Sequence, residues 1–240
     1  MANAFITKLS GFSAISGDDR EWLEAVSSRP RPISKNVDLI TEGEAPDKLM
    51  LILEGFAYRY KLTVEGRRQI FAYLVPGDFC DLHAALLQEM DHSIATLSRC
   101  SIVYIPTWAV HDLTENRPAL TKAFWWCTLV DAAVLREWVV NVGQRPPDQR
   151  IAHLFCELHV RLEAVGMTTN GAFHLPITQA ELADTVGITS VHANRCLRTL
   201  REAGLVAFRS QSVQILDLKR LKEFASFKPN YLHLGARQMV

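Results

Sequence analysis

The sequence predicts an α+β protein in which an antiparallel β-roll of the jelly-roll type, a long helix and a winged helix-turn-helix follow one another. Three observations predict this order. Short β-prone runs broken by turn residues occupy 33–105. A helical pattern opens at Pro118 and ends near Gly143, and a helix-turn-helix pattern covers 178–200. We therefore expect three regions, at 1–106, 107–143 and 144–240.

Bulk composition limits the class of protein. With 240 residues and 48% apolar residues, the chain can bury the cores of two domains. It contains no run of eighteen apolar residues, so we expect no membrane segment and a cytoplasmic location. The five cysteines lack disulfide or zinc-finger spacing. None precedes Cys80, so the N-terminal cluster of an iron–sulfur protein is missing.

Charge is distributed unevenly along a chain whose net charge is zero. Residues 1–143 carry 14 Lys and Arg against 18 Asp and Glu, whereas 144–240 carry 12 against 8. The basic end is where a nucleic acid would bind. No P-loop, GxSxG motif or zinc-protease pair is present, so we do not expect an enzyme.

The β-prone runs recur about every ten residues. Glu65-Gly66 predicts a hairpin turn, and Pro76-Gly77-Asp78 ends a later run. The predicted strands are 49–53, 56–62, 69–74, 94–97 and 101–105. N-terminal helices are expected before them, within the same domain.

The long helix carries two apolar stripes. Leu120, Ala123, Cys127, Val130 and Val134 follow the 3-4 rhythm of a coiled-coil seam, which predicts a homodimer interface. The second stripe, Trp125, Leu129, Ala132 and Val139, is expected to pack on the β domain. An ordinary core helix is the alternative explanation of the seam.

The helix-turn-helix pattern follows an interdomain hinge at 144–148, where two prolines interrupt the helix. Thr178 and Glu181 form a predicted capping box, and Gly187 supplies a left-handed turn residue. Thr189 or Ser190 caps the second helix. A β-hairpin wing with a basic tip is expected at 204–216.

The second helix of the motif has an exposed polar face that suits a major groove of double-stranded DNA. Arg195 can bond a guanine with two hydrogen bonds, and Arg198, Arg209 and Thr178 are expected to contact phosphates. A winged helix that binds protein instead is the alternative. The predicted DNA-binding residues are Thr178, Ser190, Val191, His192, Asn194, Arg195, Arg198 and Arg209.

Together these segments resemble the Crp/Fnr family of transcription regulators, with a β-roll similar to cyclic-nucleotide-binding domains. The resemblance rests on Glu42-Gly43-Glu44, Leu53-Glu54-Gly55, Pro76-Gly77-Asp78-Phe79, Arg150-Ile151-Ala152 and 178–200. It implies a β-roll sensor domain at 1–106, a dimerisation helix at 107–143 and a DNA-binding domain at 144–240. It also implies binding to a palindromic operator and contact with RNA polymerase.

Departures from the family pattern bear on the effector. Cyclic-nucleotide-binding members place an arginine about ten residues after the Gly-Glu pair, whereas this chain has Gly77-Asp78 and then His92-Ser93. A neutral histidine binds phosphate poorly, so cyclic AMP is not expected. An unidentified small molecule remains possible, with Gly77, Asp78, His92, Ser93 and Phe124 as the candidate pocket. A regulatory module that acts on a protein partner is the rival function.

Three smaller features have plain alternatives. Cys80-Asp81-Leu82-His83 could ligate a metal or haem, but no second pair completes a site, so neither is expected. Cys196 could be redox-active because Arg195 is adjacent, or it could be a small buried hydrophobe. Phe124-Trp125-Trp126 could line an effector pocket or belong to the core.

Overall fold

The computed structural model describes residues 3–45, 48–80 and 88–234. These residues form two compact units. The first contains the described residues up to Lys61 together with Tyr73–Ala132. The second contains Leu62–Ala72 and Ala133–Leu232. No described helix is both long and apolar enough to cross a membrane.

Helices and strands follow the order that the sequence predicts, which confirms the fold class. The helices are α1 (Ala4–Phe12), α2 (Gly17–Val26), α3 (Thr107–Asn116), α4 (Pro118–Gln144), α5 (Pro147–Ala164), α6 (Gln179–Val186), α7 (Ser190–Glu202) and α8 (Leu218–Phe224). The strands are β1 (Arg31–Ile33), β2 (Asp38–Ile40), β3 (Leu49–Glu54), β4 (Ala57–Leu62), β5 (Arg68–Leu74), β6 (Ser93–Thr96), β7 (Cys100–Ile105), β8 (Ala172–His174), β9 (Val206–Arg209) and β10 (Ser212–Ile215).

The β-roll is built from two antiparallel sheets, with strand orders β1-β7-β3 and β2-β6-β4-β5. Leu49 pairs with Ile105 and Ile52 with Ile102 across β3 and β7. The strands next to the core are buried along most of their length, since the apolar faces of both sheets pack together. The core cluster is Ile40, Met50, Ile52, Ala57, Leu74, Cys80, Met90, Ile94, Cys100 and Ile102.

Gly55 marks the tight turn between β3 and β4. Its φ is +85°, and an added Cβ would lie 2.3 Å from the carbonyl oxygen of Arg99. Only glycine satisfies both the left-handed backbone and this close approach. The Leu-Glu-Gly motif therefore has a structural role in the β-roll.

Helix α4 passes from the first unit into the second, and its two apolar stripes face the opposite way from the expectation. The predicted dimer seam is buried within the single chain, with Leu120 2% and Cys127 4% exposed. The stripe expected to pack on the β domain is exposed instead, with Trp125 at 68% and Val139 at 73%. The assignment was wrong because both stripes are apolar, and periodicity alone does not say which one the chain covers itself.

The second unit is organised around α5, which is buried on most sides. Its buried residues include charged and polar side chains, among them His153, Glu157 and His159. Helices α6, α7 and α8 and the three-stranded sheet β8-β10-β9 pack around it. Glu157 accepts hydrogen bonds from Trp138 Nε1 (3.0 Å) and the Tyr231 hydroxyl (2.9 Å), so the buried carboxylate is satisfied.

Candidate nucleic-acid interface

The first helix of the motif, α6, starts at a complete capping box. The Thr178 hydroxyl accepts from the backbone N–H of Glu181 (3.1 Å), and the Glu181 carboxylate accepts from the backbone N–H of Thr178 (2.6 Å). Two backbone donors at the helix start are thereby satisfied, which fixes where α6 begins. The Thr178 side chain remains on the surface.

The turn between α6 and α7 has the geometry that the sequence predicts. Gly187 has φ +69° and ψ +41°, and its N–H donates to the Ala183 carbonyl. Thr189 then caps α7 by accepting from the backbone N–H of His192 at 3.3 Å. The predicted alternative cap, Ser190, is the first residue of the helix.

Helix α7 is strongly amphipathic. Ala193, Cys196 and Leu200 are buried, and Leu197 is half-buried, against the rest of the unit. Every predicted reading residue of the helix is exposed: Ser190, Val191, His192, Asn194, Arg195 and Arg198. The Arg195 guanidinium makes no hydrogen bond or ion pair with the described residues.

Two of these side chains have partners inside the protein. Asn194 donates to the Gln179 side-chain oxygen at 2.6 Å, which ties α7 to the start of α6. Arg198 pairs with Glu202 one turn later at 2.8 Å, with both groups exposed. Sequence patterns missed both contacts, because neither partner belongs to the reading face.

The wing is a tight hairpin formed by β9 and β10. Its two turn residues, Ser210 and Gln211, have φ of +49° and +62°. Two successive positive φ values match the type I′ turn that suits a two-residue hairpin. Arg209 lies beside this turn and is exposed, as predicted for a basic wing tip.

The candidate effector residues separate into two groups in the described contacts. Gly77, Asp78 and Phe124 surround α1. Lys8 Nζ lies 2.6 Å from Asp78 Oδ1, and the Phe5 ring packs at 5.0 Å from Phe79 and 6.0 Å from Phe124. His92 instead lies 2.6 Å from Asp91, while the Ser93 hydroxyl accepts from the backbone N–H of Glu42.

Asp78 and Gly77 both make contacts within the chain. Burial opposes the charge on Lys8, but the attraction of Asp78, together with that of Cys127 and Asp131, outweighs burial and raises the pKa of Lys8 to about 12. Asp78 is therefore neutralised by the chain itself. The N–H of Gly77 donates to Ile52, and a Cβ at Gly77 would lie 2.8 Å from the Ala4 carbonyl oxygen. The backbone around Gly77 is thus used for packing against α1.

The aromatic residues of α4 divide between core and surface. Phe124 and Trp126 are buried, and Trp126 stacks on Phe12 at 4.7 Å. Trp125 faces outward. Core packing, rather than a pocket, accounts for the two buried rings.

The cysteines are placed as buried hydrophobes. Burial raises the pKa of the Cys196 thiol, and the lowering effect of Arg195 is smaller. The thiol is therefore a weak nucleophile in this conformation. Cys80 is also buried, whereas Asp81 to His83 lie outside the described residues. Among the described residues no group of three His, Cys, Asp or Glu side chains could hold a metal ion.

The fold and the exposed face define a class of protein: a winged helix-turn-helix regulator with a β-roll domain. Residues 30–117 match the cyclic nucleotide-binding domain family, and residues 149–224 match the Crp-like helix-turn-helix domain family. Together the two ranges cover more than half of the chain. Their order is the order predicted from the sequence.

Related proteins agree with these matches. The transcriptional activatory protein AadR of Rhodopseudomonas palustris is 26% identical over 212 residues, covering 87% of this chain and 85% of AadR. The nitrogen fixation regulation protein FixK of Bradyrhizobium diazoefficiens is 24% identical, covering 80% of each. The structure of FixK2 from Bradyrhizobium japonicum superposes with a TM-score of 0.73 at 19% identity, covering 82% of this chain and 96% of FixK2.

The chain belongs to the Crp/Fnr family of DNA-binding transcription regulators. This confirms the resemblance drawn from the sequence and the expectation that the protein is not an enzyme. The residue assignments for DNA and effector remain predictions, as do the three domain boundaries.

Proposed function

We propose that this protein is a homodimeric, sequence-specific regulator that reads a palindromic operator with α7. The observation that carries the proposal is the Arg195 guanidinium, which is exposed on the polar face of α7 and unpaired among the described residues. A free guanidinium at this position can donate two hydrogen bonds to the O6 and N7 atoms of guanine. The protein acts where the bacterial chromosome lies, in the cytoplasm.

The other exposed residues have supporting roles. Val191 can contact a thymine methyl group, while Ser190 and His192 can form hydrogen bonds with base edges. Thr178, Arg198 and Arg209 are expected to contact phosphates. Arg198 must first leave Glu202, and Asn194 must leave Gln179, so their contributions to affinity are reduced by the contacts they give up.

Selection of bound duplexes from a random pool tests the reading role of Arg195. Two reading helices related by a dyad contact successive major grooves, so we expect an imperfect palindrome with half-sites about 10 bp apart or a multiple of that. Arg195→Ala should cost about 1–3 kcal/mol and relax one position per half-site. Arg209→Ala is the matched control, because loss of a phosphate contact weakens all sequences alike. An unchanged motif after Arg195→Ala would contradict the proposal.

Dimerisation is proposed through the exposed stripe of α4. Trp125, Leu129, Ala132 and Val139 fall within an arc of about 80° around a helix of 3.6 residues per turn. Three of the four are large and apolar, with Leu129 65% exposed. Such a continuous apolar stripe at coiled-coil spacing fits a second copy of the same helix.

Charge on this stripe tests the dimer. Leu129→Glu combined with Val139→Glu should give monomers, because two like charges would face each other across the two-fold axis. Met167→Glu is the matched control, since Met167 is exposed and belongs to the connection between α5 and β8 rather than to α4. Light scattering measures the molar mass of the wild type and of each variant in solution. A dimer that persists in the double variant would refute this interface.

The effector is proposed to be a compound other than cyclic AMP, or none. The pairing of Asp78 with Lys8 and the absence of an arginine at His92-Ser93 support this. No haem or iron–sulfur group is proposed. Native mass spectrometry with a cyclic AMP titration tests this proposal. Binding of cyclic AMP with a micromolar dissociation constant would overturn the proposal. Relatives of this chain are named as transcriptional activators, and we propose contact with RNA polymerase as the route by which this protein acts on transcription.

A further inference from the structure

A segment of the β-roll sequence folds with the DNA-binding unit. Residues 62–72 lie inside the range that matches the cyclic nucleotide-binding family, yet they belong to the same compact unit as α5–α8. The segment carries the turn between β4 and β5. This turn is closed by backbone hydrogen bonds from Thr63 to Arg67 (2.8 Å) and from Gly66 to Thr63 (2.9 Å).

Arg68 of this segment forms an ion pair with the carboxylate of Asp184, which lies in α6. Arg68 donates from both Nε (2.9 Å) and a terminal nitrogen (2.8 Å) to the same oxygen of Asp184. Both side chains are about 30% exposed. A charge-assisted, doubly donated contact of this kind is stronger and more directional than a mobile surface pair.

The next residue caps the C-terminal end of α6. Gln69 donates its side-chain amide to the Thr185 carbonyl at 3.0 Å, and Arg150 donates to the Val186 carbonyl at 2.9 Å. The last carbonyls of a helix have no partner within the helix, so these two side chains supply what the helix end lacks. Gly187, which redirects the chain into α7, follows immediately.

We infer that residues 62–72 serve as a clamp on the helix-turn-helix, with Arg68 and Gln69 as positioning residues for DNA binding. The clamp holds the end of α6 and therefore the turn that sets the direction of α7. Its hydrogen bonds reach Asp184 and Thr185 and leave the reading face of α7 exposed. The clamped arrangement thus favours DNA binding. This inference rests on the proposed reading role of α7.

A double-mutant cycle on the full-length protein tests the clamp. Arg68→Ala and Asp184→Ala should each weaken binding to the selected operator about three- to tenfold, and the double variant should be no weaker than either single variant. Arg68→Lys should recover only part of the affinity, because an ammonium cannot reproduce the two directed donors. Thermal denaturation identifies any variant that fails to fold, and the exchange Arg68→Asp with Asp184→Arg then takes its place.

The neighbouring Arg67→Ala is the matched control. Arg67 is 81% exposed and pairs loosely with Glu65 within the same turn. Arg67→Ala removes the same charge as Arg68→Ala. If both substitutions weakened operator binding equally, the loss would come from general electrostatics, and the clamp would be overturned. Unchanged affinity in Arg68→Ala, tighter binding, or additive losses in the cycle would also overturn it. Failure of the wild type to bind any duplex would instead refute the proposed function.

Discussion

His153 is a buried histidine whose titration should make the second unit sensitive to acid. Its side chain is fully buried, with the ring 5.1 Å from Phe227 and 6.0 Å from Tyr231. Nε2 lies 3.2 Å from Glu137, but that carboxylate oxygen already accepts from Arg145. Burial, together with the charge of Arg145, lowers the pKa of His153 to about 3.

The size of the effect follows from the difference between the folded and unfolded pKa. The imidazole is neutral in the folded protein, whereas the unfolded chain binds a proton below about pH 6.5. Because the pKa of His153 is lower in the folded protein than in the unfolded chain, its contribution to stability is fully present above about pH 6.5. That contribution is lost as the pH falls from about 6.5 toward 3. At about 1.4 kcal/mol per pH unit, the loss between pH 7 and pH 5 is about 2 kcal/mol.

Urea unfolding at pH 7 and pH 5, followed by circular dichroism, measures this loss. His153→Phe keeps an aromatic ring between Phe227 and Tyr231 but cannot bind a proton. Wild type should therefore lose about 2 kcal/mol more than the variant between the two pH values. Burial raises the pKa of Glu157, which acts in the opposite direction, but it is common to both proteins. Equal pH dependence in the two proteins would refute the reasoning.

Two further changes test the wing and the contact between α1 and the β-roll. Gln211→Gly should raise the stability by about 0.5–1 kcal/mol, because glycine adopts φ +62° without strain. Ser212→Gly in the adjoining strand should instead lower the stability, and thermal denaturation measures both effects. Lys8→Met should cost about 3–5 kcal/mol by leaving Asp78 charged, buried and without its cation. Adding Asp78→Asn should recover most of that loss in urea unfolding, and no recovery would show that the charge is not the cause.

Local signals predicted the elements of this fold well. The capping box at Thr178 and the left-handed glycine at 187 each need only a few adjacent residues, so the helix-turn-helix follows directly from sequence. The five strands of the β-roll that were given bounds from the sequence likewise begin and end within one or two residues of them, whereas β1 and β2 were not predicted individually. Turn residues fix such boundaries.

Contacts between distant residues were not predictable in the same way. Lys8 and Asp78 are 70 positions apart, and Arg68 and Asp184 are 116 apart, so no local pattern connects them. The orientation of α4 was missed because its two stripes are equally apolar. Only packing within the folded chain, which buries Leu120 and Cys127, distinguishes the inward stripe from the outward one.

Native mass spectrometry of the protein on its selected duplex, repeated with binding measurements over a series of salt concentrations, tests the central claim most directly. The account predicts two chains per duplex and an affinity that falls steeply with salt, since basic residues on α7 and the wing release phosphate counterions. One chain per duplex, or an affinity independent of salt, would contradict the reading of this protein as a dimeric regulator that binds DNA through α7.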